Sequence, residues 1–208
     1  MISIVIPTVP GREEFYERCV KAYREHTSGE YEIVTEYDHP SVGLAWQAGA
    51  EKCRGDYIHL TADDIEPRPG WHAPAVEAVR LGFIPAPQVY DPSGMPQSHP
   101  LPGVVSPDWS PVQMSALPFC SRPQWEKIAP LLVCHYYTDD FFSWRAAQAG
   151  WRSRLRTGYS FTHWWAQHRR GAGMSEPERM RHDAGLYQEA RRRVEAGQWT
   201  EPWPEAGR

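Results

Sequence analysis

At 208 residues and 41% apolar content, the chain has the size of one domain with a sizeable core, and is too short for a catalytic domain plus a large accessory one. The net charge of −4 hides a split: residues 1–150 carry 11 Lys and Arg against 19 acids, whereas residues 151–193 carry ten Arg against four acids. No run approaches the roughly 20 apolar residues that cross a bilayer, no basic leader precedes an apolar signal segment, and Cys19, Cys53, Cys120 and Cys134 form no C-x-x-C pair, so zinc and disulfides are not indicated; a soluble, cytoplasmic protein is expected.

The chain opens with an apolar run, Ile2 to Thr8, which reads as a buried strand ended at a proline. Gly11 and the acids Glu13 and Glu14 lead into a helix to about Glu25, with Phe15, Cys19, Val20 and Tyr23 inward. Tyr31 to Tyr37 reads as a second strand, Gly43 to Lys52 as a second helix stopped by Gly55, and Asp56 to Leu60 as a third strand. Strand and helix alternating in this way imply a parallel sheet with right-handed crossovers. The strand ends at Thr8, Asp38 and Asp63 then line one edge of that sheet, where ligands bind in open α/β folds.

At that edge the third strand stops at two adjacent carboxylates, Asp63 and Asp64. Facing a crevice, they repel unless a cation sits between them. Oxygen ligands without cysteine suit Mg²⁺ or Mn²⁺, which usually arrive with phosphates. The competing reading is a surface turn in which one acid caps the next helix.

Together these residues resemble a family. Ser3-Ile4-Val5-Ile6-Pro7-Thr8 is similar to the opening strand of family 2 glycosyltransferases of the GT-A fold. Val42 to Ala45, Gly49 and Arg54 to Ile58 resemble their second helix and third strand, and Leu60 to Trp71 their metal-binding segment. Thr138 to Arg145 with Ala149-Gly150-Trp151 resembles their acidic catalytic segment, and Gly158 to His163 their late strand ending in histidine. The resemblance covers residues 1–75 and 135–165. It implies an α/β fold in a single GT-A-type domain over residues 1–196. A mostly parallel central sheet is flanked by helices, with a Rossmann-like nucleotide-sugar-binding half at 1–75, a smaller acceptor and catalytic half at 84–165, and a tail at 197–208. It also implies a nucleotide-diphosphate sugar donor framed by Pro7, Thr8, Glu36, Asp38 and Asp63. A Mn²⁺ or Mg²⁺ cofactor on Asp63, Asp64 and His163 is implied too, with Asp139 as catalytic base and Asp140 as the neighbouring candidate. Two departures stand out: Thr61 takes the place of the first acid of the metal motif, and Glu36 and Asp38 are separated by Tyr37 rather than adjacent.

Between residues 84 and 123 ten prolines forbid long helices and central strands. A binding loop that selects the acceptor and a rigid connection are both open there. Met114 to Cys120 reads as its strand and Arg122 to Leu132 as a short helix. Asp139 and Asp140 precede a helix with Phe142, Trp144, Ala147 and Gln148 inward; they suit either a base or a helix cap. His163 suits a metal ligand or a core histidine. Arg169 and Arg170, followed by Gly171 to Gly173, suit a mobile loop on a diphosphate or a solvated basic surface. Residues 176–196 read as a peripheral amphipathic helix, and Trp199 and Trp203 as tail anchors.

The expected function is metal-dependent, inverting transfer of a sugar to an acceptor hydroxyl on a glycan, a protein or a modified nucleic-acid base. A non-catalytic nucleotide- or glycan-binding module and a nucleotidyltransferase are the alternatives. The second normally wants a basic glycine-rich loop after the first strand, where only Gly11-Arg12 stands.

Overall fold

The computed structural model describes residues 1–96, 116–164 and 176–200. The expectations for Arg169, Arg170 and the glycines after them, for Trp203 and for the middle of the proline-rich segment lie outside these residues. What is described is a mixed α/β domain built on two small sheets. One has the order β2–β1–β3–β6, from β1 (Ile2–Thr8), β2 (Tyr31–Tyr37), β3 (Tyr57–Leu60) and β6 (Phe119–Ser121). The other has the order β4–β7–β5, from β4 (Ile65–Pro67), β5 (Phe83–Tyr90) and β7 (Arg152–His163). β1 runs parallel to both β2 and β3, with Ile4 opposite Ile33 and His59, while β6 is antiparallel to β3. The parallel β1–β3 unit therefore forms as the apolar runs predict, crossed by α1 (Glu13–His26) and α2 (Val42–Lys52).

Four elements differ from the sequence reading, the first three for a local reason. Phe83–Tyr90 forms a strand despite Pro85 and Pro87, because β5 lies at the edge of its sheet; its register slips between Ala86 and Gln88, around Pro87. α4 (Arg122–Ile128) starts at a capping box between Ser121 and Gln124, but stops four residues early, because Pro130 drives Ala129 to an extended ψ of 158°. β6 is only three residues long, directly after Pro118. In α5 (Thr138–Gln148) Ala146 is buried rather than Gln148, which faces solvent.

The two sheets are joined by an aromatic core. His59 of β3 has no exposure, stacks with Phe161 of β7 at 5.5 Å between ring centres and packs at a tilt against Trp71 at 4.6 Å, while Tyr23 and Tyr159 hydroxyls lie 2.8 and 3.2 Å from its ring nitrogens. Burial pushes its pKa down to about 3, so the ring is neutral. This packing brings the ends of β3, β4 and β7 together. All four cysteines are buried and free.

α6 (Glu176–Glu195) is not merely peripheral. Leu186, Tyr187, Ala190 and Val194 pack on Leu132, Cys134, Phe141, Trp144 and Trp199. Trp199 donates its indole N–H to Pro130 O at 2.9 Å. Asp183, 5% exposed, accepts the backbone N–H groups of His135 (3.0 Å) and Tyr136 (2.9 Å). Removing that carboxylate orphans two donors in a partly buried turn. Asp183→Ala should therefore lower the unfolding free energy by about 1–3 kcal/mol, read as a shifted urea midpoint at unchanged slope; an unmoved midpoint would show that the clamp contributes nothing.

Candidate active site at the carboxyl edge of the parallel sheet

The edge is assembled from the end of β1. Thr8, 6% exposed, donates its hydroxyl to Asp63 Oδ2 at 2.8 Å. The chain then turns at Gly11, whose φ of +83° strains any residue with a Cβ, and delivers Arg12 to the start of α1. The Arg12 guanidinium lies across Asp63: Nε is 2.8 Å from Oδ2 and 3.0 Å from Oδ1, and Nη2 is 2.5 Å from Oδ1. The same Nη2 is 3.2 Å from Asp64 Oδ2. Burial works against the Arg12 charge, yet hydrogen bonds and attraction from Asp63 and Asp64 outweigh it and raise the pKa. Breaking one partner out of such a desolvated ion pair typically costs about 3–5 kcal/mol.

His163, the last residue of β7, stands opposite Ile65 and places Nε2 3.5 Å from Asp64 Oδ2. Burial pushes the Asp64 carboxyl up, but His163 and Arg12 more than offset it and hold its pKa below the ordinary value. The late-strand histidine and the acidic pair thus meet as the sequence pattern suggests. Thr61, by contrast, is fully buried and turned inward: Tyr23 donates to its hydroxyl at 3.0 Å and Trp46 to its carbonyl at 2.8 Å. Among the described residues no group of three or more His, Cys, Asp or Glu is arranged to hold a metal ion. Asp63 has both oxygens engaged by Arg12, and the first acid of the motif is a hydroxyl aimed at the core. The residues present do not fit a resident divalent cation in this arrangement.

The acidic pair Asp139–Asp140 opens α5 and is held to the same edge by α2. A helix that follows a parallel strand has its N-terminus at the carboxyl edge of the sheet. At the N-terminus of α2, Gly43 donates to Cys134 O at 3.0 Å, and a Cβ there would lie 2.2 Å from Leu132 O. Only glycine permits this approach. Thr138 closes the turn by bonding Leu132 O and Cys134 O at 3.2 and 3.0 Å, and Tyr137 adopts a left-handed φ of 66° just before it. First-turn acids are ordinarily stabilised as anions by the helix. Here burial dominates, with the charge of Asp140 adding to it, and the Asp139 pKa is pushed up to about 7; burial also raises that of Asp140.

The remaining sequence candidates divide. Pro7 is half-buried beside Thr8, and Asp38 is exposed with its N–H on Thr8 O at 2.9 Å and φ of 60°. Glu36 is 3% exposed and engaged by Lys52 Nζ at 2.6 Å and His39 Nε2 at 2.8 Å. Two residues with clear roles were not singled out as site residues from the sequence. Arg12 is one; its signal was a lone basic residue after the first strand's turn. Asp183 is the other, in step with Leu186, Tyr187, Ala190 and Val194 along one helix stripe.

No protein-family model and no curated protein matches the chain. Solved structures do. The chain is similar to the crystal structure of S. aureus TarS over 78% of its length (TM-score 0.62, 10% identity). It is similar to that of GalNAc-T7 with UDP, GalNAc and Mn²⁺ over 96% (TM-score 0.67, 12% identity). It spans 36% and 50% of those chains. At such identities the likeness carries the fold, a GT-A-like α/β domain. Among the described residues no helix is long and apolar enough to cross a membrane.

The raised Asp139 pKa is directly measurable. In a carbon-13 NMR titration of the side-chain carboxyls, Asp139 should titrate near 7, and Asp140→Asn should shift that midpoint down by removing a neighbouring negative charge. An Asp139 midpoint in the ordinary carboxylate range would remove the reason for reading it as more than a helix cap.

Proposed function

We propose that this chain is a family 2-like glycosyltransferase that moves a sugar from a nucleotide-diphosphate donor to an acceptor hydroxyl, with inversion. The reading is supported by two features: the Thr8–Arg12–Asp63 cluster at the carboxyl edge of the sheet, and an acidic helix start, reached from that edge through the packing of Gly43 on Leu132 and Cys134, where burial raises the Asp139 pKa to about 7. A carboxyl titrating there is a far stronger base than an ordinary aspartate and is still half ionised at neutral pH. The GT-A-like fold, shared with a protein crystallised with UDP, GalNAc and Mn²⁺, supports a nucleotide-sugar as donor.

In this reading residues 1–75 bind the donor and residues 84–165 supply the acceptor side and the base. Pro7, Thr8 and Asp38 frame the nucleoside at the ends of β1 and β2. Glu36, tied to Lys52 and His39, supports β2 against α2 rather than touching the nucleotide. Asp139 takes the proton from the acceptor hydroxyl as its oxygen attacks the anomeric carbon. The leaving diphosphate departs from the opposite face, so a single in-line displacement inverts the configuration. Burial, with the charge of Asp140 adding to it, keeps the Asp139 pKa high. Arg169 and Arg170 are assigned to the diphosphate from the sequence alone. No step runs through a metal, because Asp63, Asp64 and His163 do not fit one while Arg12 is in place.

Screening nucleotide-sugars for release of nucleoside diphosphate, with product anomers read by NMR, tests the reading. With an active donor found, Asp139→Asn should lower turnover by about 10²–10⁴ and leave UDP or other product affinity unchanged. The wild-type rate should fall about tenfold per unit as pH drops below the Asp139 pKa, because the proton blocks the base. Retained configuration, or full turnover by Asp139→Asn, would overturn the mechanism.

A further inference from the structure

Asp63 and Asp64 cannot stand side by side at a closed edge without a counter-charge. The structure already provides one. Arg12 donates twice to Asp63 through Nε and Nη2 and reaches Asp64 with the same Nη2, while Thr8 takes a further site on Asp63 Oδ2. The pair is 4% and 6% exposed, so little water remains to compete. The planar guanidinium matches a carboxylate in a way that a lysine would not. Because it is covalently tethered, its local concentration far exceeds that of any free ion.

We propose that Arg12 is the resident cation of this site. It takes the position that the sequence pattern assigns to a divalent metal, and Asp63 and Asp64 serve to hold it at the sheet edge where a nucleoside diphosphate docks. Only the identity of that ligand rests on the glycosyltransferase reading. Thr61 fits the same picture. Where the resembling motif has its first acid, this chain has a hydroxyl committed to Tyr23, so a metal would lose one ligand to the core and another to Arg12. Charge counting limits what Arg12 does. One guanidinium against two carboxylates leaves one negative charge before His163 is counted. Arg12 therefore relieves the acids without neutralising a diphosphate as well. A divalent ion that arrives with the nucleotide would ride on the phosphate oxygens rather than on Asp63.

The test uses the 208-residue chain and Mn²⁺ alone, with bound metal read from loss of the free-ion electron paramagnetic resonance signal. Wild type should show no saturable binding at millimolar Mn²⁺, and its melting temperature should not move. Arg12→Gln should gain one saturable Mn²⁺ site and a metal-dependent rise in melting temperature, because the freed carboxylates then need a cation. Arg12→Lys keeps the charge and should remain metal-free. One Mn²⁺ per wild-type chain, abolished by Asp63→Asn, would overturn the proposal, and this pair decides the matter even where Arg12→Gln does not fold. UDP binding is measured separately, in chelator and in Mn²⁺. Its complete absence from wild type would count against the donor reading, while the metal-only titration still decides the role of Arg12.

Discussion

The ion pair between Arg12 and Asp63 is the constraint around which this edge is organised. Its partners lie 51 residues apart in sequence, and Thr8 joins them across 55. Together they fix the end of β1 to the residues after β3 and set where α1 begins. Without Arg12 the chain would present two desolvated carboxylates at a sheet edge, which is costly unless they are protonated or metallated. With Arg12 the edge is already charge-paired, and the acids become a mount for a guanidinium.

The rest of the fold keeps that edge in register. Neutral His59, enclosed by Tyr23, Trp71, Tyr159 and Phe161, locks β3 to β7 through the core, so His163 at the end of β7 arrives beside Asp64. Trp164 reinforces this by donating its backbone N–H to Asp64 O at 3.0 Å. On the far side of the edge, α6 packs on α5, and Asp183 holds the turn that leads to Thr138 and Asp139. The basic helix at the C-terminal end thus shapes the acidic segment through one buried carboxylate and an apolar stripe.

Much of this was legible in the sequence. The apolar runs of β1 and β3 were plain, since parallel strands buried on both faces read as continuous hydrophobic segments, and β2, a half-buried edge strand, shows in its alternation of Ile33 and Thr35 with Glu32, Val34 and Glu36. The edge location of Asp63 and Asp64 follows from that. What was not legible depends on distance or on facing. The Arg12 partners come from another strand's end, and no local pattern announces them. The partners of Glu36 follow from the strand period rather than from nearness to a turn. Glu32, Val34 and Glu36 share one face of β2, and Glu36 meets Lys52 of α2 there, while Asp38 lies past the strand. The docking of α6 was hidden by its arginines, although Asp183, Leu186, Tyr187, Ala190 and Val194 repeat at helical spacing.

In the proposed function, donor and base share this one edge. Hydrogen exchange of the backbone amides with and without UDP tests that placement, because protection reports which segments a ligand contacts or orders. Exchange should slow at Thr8–Arg12, at Thr61–Asp64 and at the turn entering Thr138–Asp140, with little change on the outer face of α3 (His72–Arg80). Protection confined to surfaces away from Thr8 and Asp63, with these three segments unchanged, would contradict it.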